Sequence, residues 1–291
     1  MSENASPASR VIEPGSTVLV TGASSGIGLE TAVGAARAGF RVVATVRDLA
    51  RTDALTSAAS GLDVEVRRLD VTDPDSVTAC VSGLIASHGR LDALVNNAGA
   101  GHVGTVELDS MEEFRAAMEV NYFGVVAMTK AAMPYLRAVA GRLVSISSVG
   151  GIVGQPFNEA YCAAKFALEG FMEGLAPVAA TVGVSVVIVE PGAVASSFVA
   201  NARVDREAML AAAGPYAPAL AGYVARTEGA FANAQTAESA AAVVVSTLVD
   251  ESPAFRVQTS DNARAFVGIK LADLDGARVQ AFTGSWVTSG S

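Results

Sequence analysis

Short apolar runs rich in β-branched residues alternate along the chain with longer segments in which apolar side chains recur at helical spacing. The predicted strands are Thr17–Thr21, Arg41–Val46, Val64–Val71, Ala93–Asn96, Arg142–Ser147, Val184–Val189 and a short last run, Phe255–Thr259. The predicted helices are Ile27–Ala38, Pro74–Ser87, Met111–Leu136, Ala160–Val178 and Ala237–Val249. Continuously apolar strands separated by helices are typical of a parallel sheet covered on both faces. The pattern predicts a doubly wound α/β fold.

A helix start is marked at Ser110, where Ser110-Met111-Glu112-Glu113 fits a capping box. In this motif the serine hydroxyl accepts from a backbone N–H three residues later, and the glutamate carboxylate accepts from the serine N–H. We therefore expect a long helix to begin at Met111 and to carry Asn121.

A single domain is expected over residues 17–291, because no Pro/Gly/Ser-rich linker interrupts the middle of this 291-residue chain. The polar segment Met1–Ser16 lacks the apolar core of a signal peptide. We expect it to be a flexible tail of a cytoplasmic protein.

The segment Val199–Gln235 is rich in alanine and is broken by glycine and proline. It predicts either a helical lid over a substrate pocket or a contact between subunits, and the sequence leaves both open. Within it, Ala208–Ala225 carries no charge for eighteen residues, which meets the length of a transmembrane span. Two glycines and two prolines interrupt this stretch, so we predict no membrane span.

Composition bears on possible partners. Apolar residues make up 51% of the chain and charged residues 17%, which favours burial between subunits as well as within one. We expect a homodimer or homotetramer, with contacts from the helices that contain Met118–Met133 and Phe166–Val178. The net charge of −9 comes without a basic stripe and argues against a nucleic-acid or anionic-membrane partner.

The two cysteines, Cys80 and Cys162, both fall in predicted helices. No Cys/His cluster has the spacing of a metal site. We expect two buried free thiols in a reducing compartment, and no metal.

Tyr161 and Lys165 lie four residues apart on a predicted helix, thirteen residues after Ser148. Residues at this spacing share one helix face, so the Lys165 ammonium can lie beside the Tyr161 phenol. A neighbouring positive charge favours the phenolate and lowers its pKa. A surface pair without catalytic function would show the same spacing, and the rest of the sequence decides between the two.

A glycine-rich turn, Thr21-Gly22-Ala23-Ser24-Ser25-Gly26-Ile27-Gly28, follows the first predicted strand and opens directly into a helix. Glycines permit a tight turn and close backbone approach, and the helix N-terminus presents N–H groups to a pyrophosphate. The strand before the turn and the helix after it are the context that a dinucleotide site requires.

The motifs that carry a family resemblance are Thr21-Gly22-x-x-x-Gly26-x-Gly28, Asp70-Val71, Asn96-Asn97-Ala98-Gly99, Asn121, Ser148, Tyr161-x-x-x-Lys165 and Pro191-Gly192. In this order the chain resembles the short-chain dehydrogenases/reductases over about Thr17–Phe198. The resemblance implies a Rossmann-like domain that holds both cofactor and substrate. The run Ala44-Thr45-Val46-Arg47-Asp48, with an extension past Phe255, is similar to the branch of 17β-hydroxysteroid and retinol dehydrogenases.

The resemblance implies a catalytic group of Asn121, Ser148, Tyr161 and Lys165. Tyr161 would be the general acid in reduction and the general base in oxidation, and Ser148 would hydrogen-bond the substrate oxygen. Lys165 would lower the Tyr161 pKa and bind the nicotinamide ribose, while Asn121 would hold a water that links Lys165 to solvent. Ser147 is the rival for the serine role, and the interval to Tyr161 favours Ser148.

The resemblance also assigns the cofactor to the glycine turn, to two later strand ends and to a final loop. These residues are Gly22, Ser24, Ser25, Gly26, Ile27, Gly28, Asp70, Val71, Asn97, Ala98, Gly99, Tyr161, Lys165, Pro191, Gly192, Val194 and Ser196. Ser196 occupies a position where relatives usually have threonine, and it retains the hydroxyl.

Cofactor choice depends on the end of the second predicted strand. NAD-binding relatives carry an acidic residue at the position that corresponds to Val46 here. Arg47 follows, and its guanidinium can hold a 2′-phosphate through charge-assisted hydrogen bonds. The alternative is a solvated Arg47 paired with Asp48. We expect NADP(H) to be preferred over NAD(H).

These features predict an NADP(H)-dependent oxidoreductase that interconverts a carbonyl and an alcohol by hydride transfer, on a neutral and mainly apolar substrate. Two alternatives stay open: a reductase of a carrier-bound acyl chain, and a redox sensor that binds a dinucleotide without turnover. The complete Asn121, Ser148, Tyr161 and Lys165 set argues against a sensor. The acidic chain offers no evident basic surface for an acidic carrier.

Overall fold

The computed structural model describes residues 12–195, 206–232 and 234–272, and the single positions 278, 282 and 285. Within these residues, seven strands form one parallel sheet in the order β3-β2-β1-β4-β5-β6-β9. The strands of the sheet are β1 Thr17–Val20, β2 Arg41–Val46, β3 Val64–Arg68, β4 Ala93–Asn96, β5 Arg142–Ile146, β6 Ser185–Glu190 and β9 Arg256–Gln258. A separate two-stranded ladder pairs β7, Val194–Ala195, with β8, Gln235–Thr236. The predicted doubly wound fold is confirmed.

Helices connect the strands and cover both faces of the sheet. The α-helices are α1 Gly26–Arg37, α2 Asp53–Ala58, α3 Pro74–His88, α4 Met111–Met118, α5 Gly124–Val139, α6 Glu159–Ala180, α7 Arg206–Ala212, α8 Ala217–Ala232, α9 Ala237–Val249 and α10 Asp261–Leu271. The direction in which successive strands are added to the sheet reverses between β1 and β4, which lie side by side and parallel, with Val18 opposite Ala93. In a doubly wound fold, ligands bind outside the carboxyl ends of the strands at this reversal.

The core has two layers because successive side chains of each buried strand point to opposite faces of the sheet. Val18 and Val20 pack with residues of α1 and α9 on one face. Leu19 packs with residues of α3, α5 and α6 on the other face. The layers hold the strands in register and fix the positions at which their carboxyl ends meet.

The single helix predicted over Met111–Leu136 is wrong in one respect, because a π-helical turn, Glu119–Phe123, separates α4 from α5. Its predicted start is confirmed, since Ser110 and Glu113 form the capping box. In the turn, the Asn121 side chain donates from Nδ2 to the carbonyl of Ala117 at 3.0 Å. This bond satisfies a backbone acceptor where the regular helical ladder is broken.

Two predicted boundaries also need correction. The third strand ends at Arg68 rather than Val71, because the Asp70 carboxylate accepts from Thr72 N at 3.0 Å and turns the chain there. The tail predicted over Met1–Ser16 ends sooner, because Ile12 is buried in the core. Residues 1–11 lie outside the described residues.

The predicted lid segment is helical in the part that the structure describes, which comprises α7, α8 and the 3₁₀ turn Gly214–Tyr216 between them. Ala213, Leu220 and Tyr223 of this segment pack against Phe157, which precedes α6. Positions 199–205 and 233 of the segment lie outside the described residues, and its last residue, Gln235, belongs to β8. In the described part of the chain, no helix is long and apolar enough to cross a membrane.

Candidate active site

The glycine turn joins β1 to α1 in a form that side chains would obstruct. Gly22 and Gly26 have φ values of +69° and +59°, in the left-handed region that favours glycine. A Cβ on Gly28 would lie 2.3 Å from the Gly22 carbonyl oxygen and 2.3 Å from Asn97 Nδ2. The turn and the helix start are therefore closely packed, while Ser24, Ser25 and Ile27 remain partly exposed beside them.

The turn after β4 braces the glycine turn. The Thr21 hydroxyl accepts from the backbone N–H groups of Asn97 and Ala98, each at 2.9 Å. Asn97 Nδ2 donates to the carbonyls of Thr21 and Gly22 at 2.9 and 3.0 Å. The ends of the two central strands thus form one rigid backbone surface.

Arg47 and Asp70 lie near each other at the ends of β2 and β3. Burial raises the pKa of Asp70, but hydrogen bonds from Thr72 and the charges of Arg47 and Arg68 outweigh burial and leave the pKa lowered. Among the described residues no ion pair joins Arg47 to Asp48, whose carboxylate instead accepts from Ala50 N at 2.9 Å. Arg47 is exposed at the end of β2, and Val46 is buried in the core.

Val71 packs where the π turn meets α5. A Cβ on Gly124 would lie 2.7 Å from Val71 Cγ2, so the two residues are in close contact. Asp70 and Val71, two of the predicted cofactor residues, therefore lie in a turn that is packed onto the start of α5.

Ser148 and Tyr161 are brought together as the sequence predicts. Ser148 follows β5, and its hydroxyl accepts from Gly150 N at 3.0 Å. The Tyr161 hydroxyl is hydrogen-bonded to the Ser148 side chain. Ser147 is buried and lies beside Glu169 instead, so the geometry favours Ser148 over its rival.

Lys165 extends from α6 into the interior, where its side chain is buried. Its Nζ donates to the Ile146 carbonyl at 2.9 Å and lies 5.9 Å from the centroid of the Tyr161 ring. Burial lowers the pKa of Lys165 to about 8, although the charge of Glu169 acts in the opposite direction.

The expected lowering of the Tyr161 pKa is absent from this structure. Burial raises the pKa of Tyr161 to about 12, and the hydrogen bond from Ser148 only partly offsets this effect. The reason is geometric, since the Lys165 ammonium is bonded to a backbone carbonyl rather than to the phenol.

Asn121 is buried in the π turn and is held by three hydrogen bonds. Its Nδ2 donates to the carbonyls of Ala117 and Ala100, each at 3.0 Å, and its Oδ1 accepts from Ala100 N at 3.2 Å. A Cβ on Gly99 would lie 2.9 Å from Asn121 Oδ1 and 3.7 Å from Lys165 Nζ. Gly99 therefore brings the turn after β4 into contact with this amide and this ammonium.

The final predicted loop begins directly after β6. The Pro191 carbonyl accepts from Val149 N at 3.0 Å, which ties the loop to the segment after Ser148. Gly192 lies near Ala263 of α10, and Val194 is buried in β7. Ser196 lies outside the described residues.

Both predicted free thiols are confirmed as buried. Burial raises the pKa of the Cys162 thiol to about 11, so it remains protonated at neutral pH. Where the chain is described, no group of three or more metal-ligating side chains occurs.

Sequence reasoning missed a set of charged residues behind Lys165. Glu169 lies one helical turn after Lys165 on α6, and it meets Arg256 of β9 with an Nε to Oε2 distance of 3.0 Å. The spacing of Lys165 and Glu169 was visible in the sequence, but the partner on β9 was not.

Known proteins resemble this chain in sequence and in fold. The family model of the short chain dehydrogenases matches residues 16–207. Human retinol dehydrogenase 8 is 39% identical over 186 residues, which cover 62% of this chain and 60% of that protein. Human 17-beta-hydroxysteroid dehydrogenase type 1 is 35% identical over 269 residues, covering 89% and 82% of the two chains.

Among solved structures, a short-chain dehydrogenase from Streptomyces avermitilis is 31% identical and superimposes with a TM-score of 0.75, over 96% of this chain and 100% of that one. The alignments with several curated relatives, retinol dehydrogenase 8 among them, span only 55–60% of the relatives' length. Because the family model spans the glycine turn, strands β1 to β6 and the Ser148–Tyr161 pair, the chain belongs to the short chain dehydrogenase family.

Proposed function

We propose that this protein is an NADP(H)-dependent oxidoreductase that interconverts a neutral, mainly apolar carbonyl compound and the matching alcohol. The observation that carries the proposal is the hydrogen-bonded pair of Ser148 and Tyr161, with buried Lys165 one turn along the same helix. The pair lies at the carboxyl edge of the sheet, as does the glycine turn. Relatives named for retinol and for a 17β-hydroxysteroid support an apolar alcohol or ketone as substrate.

The glycine turn between β1 and α1 fits a dinucleotide. Left-handed φ values at Gly22 and Gly26 expose backbone at the start of α1, and Gly28 has no room for a side chain. The N-terminus of a helix carries partial positive charge and donors suited to a pyrophosphate. Asn97, Ala98 and Gly99 would line the opposite wall, and Pro191 and Gly192 would border the nicotinamide.

When bound, a reduced nicotinamide supplies the hydride that adds to the substrate carbonyl carbon. Tyr161 would give its hydroxyl proton to the carbonyl oxygen as the alcohol O–H forms, and Ser148 would donate a hydrogen bond to that oxygen. Positioned acids of this kind contribute about 10²- to 10⁴-fold in rate. Lys165 would hold the ribose, and Asn121 would support the path by which Tyr161 regains its proton.

Arg47 supports the preference for NADP(H). The guanidinium is exposed and has no ion pair with Asp48. It lies near Asp70, where β2 and β3 end. A 2′-phosphate at this position would gain charge-assisted hydrogen bonds, while an NAD ribose would find no acidic residue at Val46.

The apolar packing around α7 and α8 supports a neutral substrate. Phe157, Ala213, Leu220 and Tyr223 form a buried cluster, with Val103 and Met209 packed against it. A carboxylate or phosphate buried against such groups would lose hydration without gaining a partner. We take α7 and α8 to be a lid over the pocket.

A homodimer or homotetramer and a cytoplasmic location complete the proposal. Val106 before α4, Met111 at its start, and Phe123 in the π turn that follows it, are large apolar side chains that are exposed. Exposed apolar surface of this kind is typical of a protein interface.

The direct test measures turnover of a panel of neutral and charged carbonyls and alcohols. Turnover is monitored by the absorbance of NADPH, and the same panel is run with NADH. Turnover of neutral ketones or aldehydes with NADPH supports the proposal. Tight NADPH binding without turnover of any substrate would favour the redox sensor, and activity confined to carrier-bound acyl groups would favour the acyl reductase.

A further inference from the structure

Two buried carboxylates share one guanidinium directly behind the proposed catalytic lysine. Arg256 Nε donates to Glu169 Oε2 at 3.0 Å and lies 3.4 Å from Glu190 Oε1. The side chains of Glu169 and Glu190 are 6% and 0% exposed. Gln258 Nε2 donates to Glu190 Oε2 at 2.9 Å and completes the cluster.

The cluster joins three elements that meet beside the proposed site. Glu169 belongs to α6, the helix that carries Tyr161 and Lys165. Glu190 is the last residue of β6, immediately before the loop at Pro191. Arg256 belongs to β9, the edge strand, and pairs with both carboxylates. Stability alone does not account for this arrangement, because apolar residues in place of a buried ion pair are often neutral or stabilising.

Lys165 is surrounded mainly by uncharged groups. The groups that face it are the Tyr161 phenol and Glu169 from α6, the Asn121 amide from the π turn, the Ile146 carbonyl from β5 and the backbone of Gly99. Glu169 is the carboxylate among them. Burial, together with the charge of Glu190, leaves the pKa of Glu169 raised, although hydrogen bonds from Ser147 and Arg256 and the charge of Arg256 oppose that rise.

We propose that Glu169, clamped by Arg256 against Glu190, is a positioning residue that keeps Lys165 protonated and fixes it at the Ile146 carbonyl. The inference rests on the proposed function, in which protonated Lys165 binds the nicotinamide ribose. Neutralising Glu169 then makes Lys165 lose its proton at a lower pH, and NADPH affinity falls at that same pH.

The test compares Glu169→Gln with Glu173→Gln. Glu173 lies one turn further along α6 and contacts the same guanidinium, but its side chain is 63% exposed. NADPH affinity is measured by fluorescence titration between about pH 6 and 10, alongside kcat for the best carbonyl of the panel. In the parent, NADPH affinity and kcat should fall as the pH rises and Lys165 loses its proton. In Glu169→Gln this fall should begin about one pH unit or more lower, because an opposite charge near Lys165 has been removed. The Glu173→Gln profile should match the parent.

A cofactor-free readout separates this inference from the proposed function. The urea midpoint of each variant is followed over the same pH range, with and without Lys165→Met. The acid shift of the stability profile in Glu169→Gln should vanish in the Lys165→Met background, because the coupling needs both groups. These unfolding measurements test the role of Glu169 even if the parent protein reduces no carbonyl. A lack of carbonyl reduction would count against the proposed function alone.

Arg256→Lys is the second variant, since it keeps the positive charge but removes the guanidinium that contacts both Glu169 and Glu190. It should show an intermediate acid shift, and it serves if Glu169→Gln does not fold. An unshifted profile in folded Glu169→Gln, or equal pH-independent losses in Glu169→Gln and Glu173→Gln, would overturn the proposal.

Discussion

Asn158 Nδ2 donates a hydrogen bond to the Tyr223 hydroxyl at 2.5 Å, and this bond joins α8 to the residue that precedes α6. The Phe157 and Tyr223 rings lie beside it with their centroids 5.6 Å apart. The lid and the start of the helix that carries Tyr161 are therefore fastened at one point. We therefore expect Tyr223 to influence which sizes of substrate the protein binds.

Tyr223→Ala should raise KM for a bulky neutral ketone roughly tenfold, which corresponds to about 1.4 kcal/mol of lost binding. KM for a small aldehyde should change little, because a small substrate does not reach the ring. The control is Tyr216→Ala, since Tyr216 lies in the same segment and bonds Glu107 at 2.7 Å. Steady-state kinetics with both substrates checks this, and the lid assignment fails if small charged keto acids outperform bulky neutral ketones in kcat/KM.

Tyr161→Phe should lower kcat by about 10²- to 10⁴-fold and leave the NADPH Kd nearly unchanged, because the ring remains and only the proton donor is lost. Tyr135→Phe is the matched control, since Tyr135 packs against the core on α5, away from Ser148. Stopped-flow turnover and NADPH fluorescence provide the measurements. Near-parental kcat in Tyr161→Phe would remove Tyr161 from the mechanism.

Arg47→Ala should weaken NADPH binding about ten- to a hundredfold and leave NADH binding almost unchanged, since one charge-assisted contact contributes about 1.5–3 kcal/mol. Arg51→Ala removes another exposed arginine just beyond Arg47 and should have little effect on either cofactor. Calorimetric titration with both cofactors distinguishes the cases. Equal losses for NADPH and NADH would mean that Arg47 supports the fold instead.

Lys165→Met should lower turnover and NADPH affinity, yet raise the free energy of unfolding of the cofactor-free protein at pH 7. Burial lowers the Lys165 pKa to about 8 from 10.5, so the unfolded chain holds the extra proton between these values. The buried charge therefore costs about 3 kcal/mol below pH 8, before the lost bond to Ile146 is counted. The gain in stability should shrink as pH rises from about 8 to 10.5.

Urea unfolding at several pH values checks this prediction, with Lys130→Met as the control for an exposed lysine. A variant that is less stable than the parent at pH 7 and at pH 10 alike would show that packing, not charge, governs this position.

Light scattering should give a dimer or tetramer of the 29.4 kDa chain at micromolar concentration. Phe123→Arg should shift the mass toward the monomer, because it puts a charge into exposed apolar surface at the end of α4. Val249→Arg changes an exposed apolar residue at the end of α9, outside the helices expected to form the contact, and serves as the control. A monomer mass for the parent protein would refute the expected assembly.

The fold and the Ser148–Tyr161 pair could be predicted because each leaves a periodic or spaced signal in the sequence. The lowered Tyr161 pKa could not be judged in this way, since the acceptor that holds Lys165 is a backbone carbonyl with no residue signature. The Glu169–Arg256 contact spans 87 residues and depends on β9 pairing beside β6. Topology, rather than local pattern, determines such partners.

The break at Glu119–Phe123 also escaped prediction, because apolar spacing looks helical on both sides of it. Each residue of an α-helix advances the side-chain direction by about 100°. A π turn rotates less per residue, so Glu119–Phe123 accommodates one extra residue without changing the faces that α4 and α5 turn to the sheet. Removing one residue there would restore a regular helix and leave Val125, Met128 and Leu136 facing the core. The Asn121 amide would instead be displaced from the carbonyls of Ala100 and Ala117, so a single-residue deletion at this turn would affect the proposed site more than the fold.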